Sequence, residues 1–242
     1  MLSDSKLFKP DADWRLLLFP DAAEASCVFR PSLRAPRSYV PPGYAADPER
    51  ARAEAARRAR TKLRRYVVAN RLDKFGTLTY AGTGCQDPRQ ARADVAVFMR
   101  ELRAALGGKP LPYVWVPEWH KTDHGVHLHF ALGRYVRYTL IRSVWTHGTN
   151  ISIKRITGMR HGASEFEGAR IAAGYLSKYL AKTFDSPELG GLHRYEVAQG
   201  FQPKSIEFIG CHEGQALDAA SEFMGSIPSS CGALSLVCLS VA

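Results

Sequence analysis

Apolar residues recur along this chain with two different periods, and the switches between them outline its elements. Phe75 to Tyr80 (FGTLTY) is rich in β-formers and predicts a strand. From Asp87 to Leu106, the residues Ala91, Val95, Phe98, Met99, Leu102 and Leu106 fall at helical spacing, and Gly107-Gly108 ends the helix. Tyr113 to Trp119 and Val126 to Leu132 predict two strands around a polar turn holding Asp123 and Gly125. Val136, Leu140, Ile141, Val144 and Trp145 predict a further helix, closed by Gly148. Asn150 to Ile156 (NISIKRI) alternates as a half-buried strand does, Gly168 to Phe184 predicts a third helix, and Ser205 to Ile209 a last strand. The order β-α-β-β-α-β-α-β predicts an α+β fold. It is a ferredoxin-like split βαβ with a central antiparallel sheet of about five strands and helices packed on it.

The flanks read differently. Residues 20–48 carry Pro20, Pro31, Pro36, Pro41, Pro42 and Pro48, which predicts an extended, loosely ordered connection. Glu49 to Lys74 is an alanine-rich helix candidate with ten basic and three acidic residues. This suggests an N-terminal extension over 1–48, a main domain over 49–210 with its basic helix first, and a tail over 211–242 with no recognisable motif. No internal repeat is visible.

Composition bounds the function. With 45% hydrophobic and 23% charged residues, the 242-residue chain is neither a disordered nor a fibrous protein. Lys plus Arg number 33 against 23 Asp plus Glu, a net +10, of which the stretch 49–74 supplies +7. Such a surplus fits a polyanionic partner; the plainer reading of the basic helix is a solvated face. Five cysteines without a C-x-x-C pair argue against a disulfide scaffold or a zinc ribbon and for a reducing compartment. The apolar run Leu16 to Phe19 is too short for a secretory signal, the tail Gly232 to Ala242 is too short to span a bilayer, and no P-loop occurs. A soluble, cytoplasmic protein with no membrane partner is expected.

Two patterns carry chemistry. His127 and His129 lie two apart in one predicted strand, so both imidazoles share a face while Val126, Leu128 and Phe130 take the other. Glu118 on the preceding strand is the natural third ligand of a divalent ion, and His120, on the same face, is the substitute. Two histidines and a carboxylate suit Mn²⁺, Mg²⁺, Zn²⁺ or Fe²⁺ alike; a hydrogen-bonded histidine pair is the alternative. The second pattern is Tyr175, Lys178, Tyr179 and Lys182 on the third helix. At ~100° per residue the tyrosines form a stripe between the apolar Leu176 and Leu180 and the basic face of the lysines. A phenol needs a base, a cation or a metal to attack phosphorus at neutral pH, and a lysine one turn away can stabilise phenolate or phosphate. Y-x-x-K-Y-x-x-K arises by chance only about 0.0007 times in such a composition, so it outweighs the histidine pair as a signal.

FGTLTY (75–80), HGVHLHFAL (124–132) with Glu118 upstream, and YLSKYLAK (175–182) together resemble the three motifs of HUH endonucleases. They are similar in particular to the two-tyrosine rolling-circle replication initiators of single-stranded-DNA phages and plasmids. The resemblance spans roughly residues 60–210. It implies a ferredoxin-like or RNA-recognition-like fold, with a divalent metal, Mn²⁺ or Mg²⁺, on His127, His129 and Glu118. It further implies nicking of one strand at an origin to leave a 3′-hydroxyl and a 5′-phosphotyrosine. Tyr179 with Lys182 matches the pattern of single-tyrosine members, and Tyr175 with Lys178 is the extra pair. No helicase domain is visible, so a host helicase and a DNA polymerase would act alongside. Gly133 stands where relaxases place a third histidine.

Arg64, Arg65, Arg71, Lys74, Lys154 and Arg155 are the candidate contacts to DNA phosphates, with Tyr66 or Trp119 able to stack on an unpaired base. Three other readings stay open: an HUH transposase or relaxase-type strand transferase, a non-catalytic nucleic-acid-binding module on the same fold, and a metal hydrolase that ignores the tyrosines.

Overall fold

The computed structural model describes residues 12–31, 39–41, 43–120, 124–148, 150–154, 164–225, 228–232 and 236–239. The chain divides into two compact units, one of residues 46–202 and one built from residues 1–45 together with 203–242. Both are α+β.

Unit 46–202 opens with helix α1 (Pro48–Ala69), capped by the Asp47 carboxylate, which accepts from the amide of Arg50. The chain turns at Arg71, in the left-handed region at φ 54°, into strand β3 (Lys74–Leu78). Then come α2 (Pro88–Ala105), β4 (Tyr113–Trp119), β5 (Val126–Leu132), α3 (Tyr138–Val144), β6 (Ile151–Lys154), α4 (Glu165–Asp185) and β7 (Glu196–Val197). The strands form one antiparallel sheet in the order β6-β3-β5-β4-β7. Strand alternation sorts its two faces. Leu78, Trp115, Leu128 and Phe130 pack with Phe98 and Met99 of α2 and with Trp145, just after α3. On the opposite face α4 lies across β4 and β5, and α1 packs against α4. The small residues Gly168, Ala169, Ala172 and Ala173, all buried, form one stretch of α4, and Leu176 and Leu180 are fully buried beyond them. The histidine-bearing face of β5 is therefore roofed by a helix.

The other unit has its own sheet. β1 (Ala12–Phe19) and β2 (Glu24–Pro31) pair as an antiparallel hairpin, with Ala12 opposite Pro31. β8 (Ile206–Gly210) pairs with the other edge of β1, and β9 (Pro228–Gly232) and β10 (Leu236–Leu239) complete the order β8-β1-β2-β10-β9. Helix α5 (Glu213–Met224) packs on this sheet, burying Leu16, Leu18, Ala25, Cys27, Ala216 and Ala220.

This corrects the sequence reading in three places. Residues 24–31 are a strand within the stretch expected to be loosely ordered. The strand at Ile206–Gly210 belongs with β1 in the second sheet, outside the central one. The chain beyond Gly210 supplies a helix and strands to that same sheet. The basic helix also stops at Ala69, which leaves Lys74 on β3. Among the described residues no helix is long and apolar enough to cross a membrane.

Candidate catalytic site

The register of the central sheet assembles the site. Glu118 on β4 stands opposite His127 on β5, and Thr77 on β3 stands opposite His129. His129 is 4% exposed and both of its ring nitrogens are engaged. Nδ1 lies 2.9 Å from the Thr77 hydroxyl and Nε2 lies 2.7 Å from Glu118 Oε2. The other carboxylate oxygen of Glu118 accepts from Lys182 Nζ at 2.5 Å, which ties α4 to β4. Burial pushes the Glu118 carboxyl up, but the hydrogen bonds from His129 and Lys182, and their charges, outweigh it and hold the group at about 2. Glu118 is thus an anion throughout the physiological range.

His127 sits in a cluster of imidazoles. His120 stacks on it with ring centroids 4.4 Å apart, and His124 meets it edge-on at 5.5 Å. Burial and the neighbouring His120, His124 and His129 lower the His127 imidazole to about 4, so it is neutral with a lone pair to offer. Its Nε2 is buried and has no hydrogen-bond partner among the described residues. The hairpin loop that carries His124 is held by Gly125 at φ 73°, where a Cβ would run into the carbonyl oxygen of Cys85. That carbonyl accepts from the Val126 amide at 2.8 Å, so the close approach fixes the start of β5.

Helix α4 brings the tyrosines to the same place. A capping box starts it, with Ser164 Oγ accepting from the Glu167 amide and the Glu167 carboxylate accepting from the Ser164 amide. Arg194 closes it by donating to the carbonyl of Thr183. Near its C-terminal end the Tyr179 ring stacks on His129, with centroids 3.5 Å apart and planes 15° from parallel. Beneath them lies Phe75, 2% exposed, with centroids 6.0 Å from His129, 6.2 Å from Tyr179 and 6.1 Å from Tyr175. Burial and the Glu118 charge raise the Tyr179 phenol above its ordinary value, while Lys182, 5.3 Å from its ring centroid, draws it down. Lys178 sits likewise 5.3 Å from the Tyr175 centroid and is exposed. The tyrosines are therefore unequal: Tyr179 touches the imidazole and carboxylate, whereas Tyr175 lies one turn away, with only the edge of Phe75 between.

Several residues assigned to DNA contact from the sequence land elsewhere. Tyr66 is 2% exposed and its hydroxyl donates to the Ala198 carbonyl at 3.1 Å, so it is a core residue and cannot stack on a base. Trp119 is half-buried against the central core. Arg64 and Arg65 are half-buried on α1, Arg71 lies over the Phe166 ring at 4.9 Å, and Lys74 pairs with Asp73. Lys154 ends β6 and its side chain is outside the described residues, as is the whole of Arg155. Sequence reading passes over Thr77, Phe75 and His124 as site residues. The available signal was strand alternation, which places Phe75 and Thr77 on one face of β3, the face that carries the histidines on β5.

Among the described residues no group of three or more His, Cys, Asp or Glu side chains is spaced to hold a metal ion. The donors nonetheless fit one in kind. His127 offers a buried, unused Nε2 and Glu118 is ionised. The 2.7 Å between His129 Nε2 and Glu118 Oε2 is close to the ~3 Å separating adjacent ligands around an ion with ~2.1 Å bonds. A bound cation would take the place of the proton those two atoms share.

Residues 73–184 match a family model of replication-associated proteins, those of the ORF2 type, and every residue of the His127–His129–Glu118–Tyr179–Lys182 cluster falls inside that segment. The match is consistent with a rolling-circle replication initiator. No curated protein and no solved structure matches the chain.

Proposed function

We propose that a chain with this replication-associated segment starts rolling-circle replication by cutting one DNA strand at an origin, with Tyr179 as the first nucleophile. The observation that carries the reading is the stack of the Tyr179 ring on His129, whose other side is bonded to the Glu118–Lys182 pair. The phenol oxygen of Tyr179 attacks phosphorus and gives up its proton. The bond from phosphorus to the 3′-oxygen breaks, and that oxygen leaves as a 3′-hydroxyl after taking up a proton. The 5′-phosphate stays on tyrosine, so the energy of the broken bond is kept for rejoining by the reverse attack. Because its surroundings raise the Tyr179 phenol, the reaction needs positive charge beside the scissile phosphate. Lys182 supplies part of it. A divalent ion, Mn²⁺ or Mg²⁺, held by His127, His129 and Glu118 would supply the rest by neutralising charge on the phosphoryl oxygens. Tyr175, paired with Lys178, is placed to capture the next strand end while Tyr179 is occupied. Unwinding and copying fall to a host helicase and DNA polymerase.

The test uses a randomised pool of labelled single-stranded oligonucleotides with Mn²⁺, followed by proteolysis and mapping of the adducted peptide. A phosphonucleotide on Tyr179 is expected. Tyr179→Phe should cut the first-turnover adduct by at least about 10³-fold, Tyr175→Phe by less than about tenfold, and the double variant should form none. Multiple-turnover hydrolysis that survives in the double variant would overturn the proposal in favour of a metal hydrolase.

A further inference from the structure

Helix α1 carries more charge than holding a single strand requires. It has eight cationic residues against two acidic ones, and its buried residues, Leu63, Tyr66, Val67 and Val68, all lie in its C-terminal third. Arg50, Arg52, Arg57, Arg58, Arg60 and Lys62 are exposed. At ~100° per residue, with Leu63 at zero, Arg50, Arg57 and Arg64 form one row near 140°, 120° and 100°. Arg58, Lys62 and Arg65 form a second row near 220°, 260° and 200°. The ridge between the rows holds only Thr61 and Glu54, and it points away from the face bearing Leu63, Tyr66 and Val67. Glu54 accepts from Arg50 of the first row and from Arg58 of the second, each at 3.4 Å, which spreads the rows to either side.

We propose that this helix docks in the major groove of duplex DNA beside the strand to be cut, its ridge facing the groove floor and each basic row facing one phosphate backbone. The inference rests on the reading that the chain acts on DNA, and it names the duplex as the partner of a surface outside the tyrosine–histidine cluster. The fit is one of size and charge. An α-helix with side chains is about 10–12 Å across and the major groove of B-DNA is ~12 Å wide, so cations on two flanks meet two backbones at once. A single strand presents one backbone and would use one row. The alanines Ala53, Ala55, Ala56 and Ala59 keep the helix slim without committing it to an apolar partner. No base-specific group faces outward along the ridge, so the docking reads duplex form rather than sequence.

The experiment measures fluorescence anisotropy with the Tyr175→Phe/Tyr179→Phe protein, so that no adduct forms. Its probes are a 16-base-pair DNA duplex, one of its strands alone, and an RNA duplex of the same sequence. The combined change Arg57→Gln, Arg58→Gln and Lys62→Gln should lower the slope of log Kd against log salt by about 2–3 for duplex DNA. The same change should weaken duplex binding at least tenfold, with under about twofold loss for the single strand. Arg57→Lys with Arg58→Lys should retain the slope. Glu54→Gln, which removes the carboxylate from the ridge, should tighten duplex binding two- to threefold; it reads the same surface with the opposite sign even if the triple variant folds poorly. Duplex RNA, whose major groove is too narrow and deep for a helix, should compete at least tenfold less well than duplex DNA. Equal losses for single strand and duplex, equal competition by RNA, or no gain from Glu54→Gln would each overturn the groove docking. Adduct formation without a duplex preference sinks this inference alone, whereas a duplex preference without any adduct sinks the strand-cutting reading alone.

Discussion

Thr77 shows how much of the site depends on one hydroxyl. The Glu118 carboxylate can only accept, so the proton between it and His129 belongs to Nε2, and Nδ1 needs a partner that can give. Once a metal takes Nε2, the proton must move to Nδ1, and the partner must then receive. A hydroxyl does both, and this is why threonine suits the position and valine would not. Thr77→Val keeps the shape and removes the oxygen. It should lower Mn²⁺ affinity about 10- to 100-fold, read as free Mn²⁺ by electron paramagnetic resonance, while Thr77→Ser restores most of it. Unchanged affinity in the valine variant would show that the imidazole is oriented by stacking on Tyr179 and Phe75 instead. Lys182 invites a parallel substitution. Lys182→Met leaves Glu118 with one charge-assisted partner fewer and takes positive charge from beside the Tyr179 ring. Adduct formation should fall by about 10²-fold or more at saturating DNA, with DNA affinity little altered, as single-turnover kinetics would show.

Among the elements, β3 is the most constrained, because it must pass its neighbours closely. A Cβ built on Gly76 would lie 2.5 Å from Cζ of Phe130, whose ring is fully buried between the sheet and Phe98. Gly76→Ala must push that ring, or β3 itself, out of place. It should cost about 1–3 kcal/mol in denaturant unfolding and should shift Phe75 and Thr77 under the site. An alanine variant as stable as the parent would mean that the core yields more easily than its packing suggests. The elements of the central sheet are largely legible in the sequence because their periods are local. Val126, Leu128 and Phe130 alternate with His127 and His129 within one strand, and Leu176 and Leu180 flank the tyrosine stripe within one helix. The short hairpin likewise announces Glu118 opposite His127. The contacts between elements are not legible in this way. The bonds of Lys182 to Glu118 and of Thr77 to His129 depend on which helix roofs which face and on the β3–β5 register, and neither leaves a local trace. The same holds for Arg194 at the end of α4 and for Tyr66, whose outward appearance in a basic segment gives no sign that its hydroxyl reaches Ala198.

At the scale of the whole molecule, the unit made of residues 1–45 and 203–242 hides from sequence reading because its sheet joins the two ends of the chain. Trp14 pairs with Gly210 and Leu18 with Ile206, pairings that no short window contains. Pro20 and Pro31, which look like marks of a loose connection, sit where prolines do least harm: one opens the turn between the hairpin strands and the other ends β2. The turn closes at Ala23, in the left-handed region at φ 48°. This arrangement makes the first strands dependent on the last residues. Leu16 and Leu18 are fully buried, and the partners that cover them include Ala216 and Ala220 of α5 and the half-buried Ile206 and Phe208 of β8. A chain cut after Gln202 leaves β1 and β2 as a two-stranded hairpin with its apolar face uncovered, which is marginal in water. Hydrogen exchange should then lose protection throughout residues 14–28. The unit of residues 46–202 keeps the separate core around Phe98, Trp115 and Phe130, and it should keep its slow-exchanging amides in β3, β4 and β5. The truncated chain should also still form the Tyr179 adduct with single-stranded DNA, since each residue of the tyrosine–histidine cluster lies between 75 and 182. Loss of protection in β4 and β5 on truncation would mean that the two cores fold as one cooperative body, and retained protection in β1 would mean that the hairpin draws its stability from somewhere other than β8 and α5.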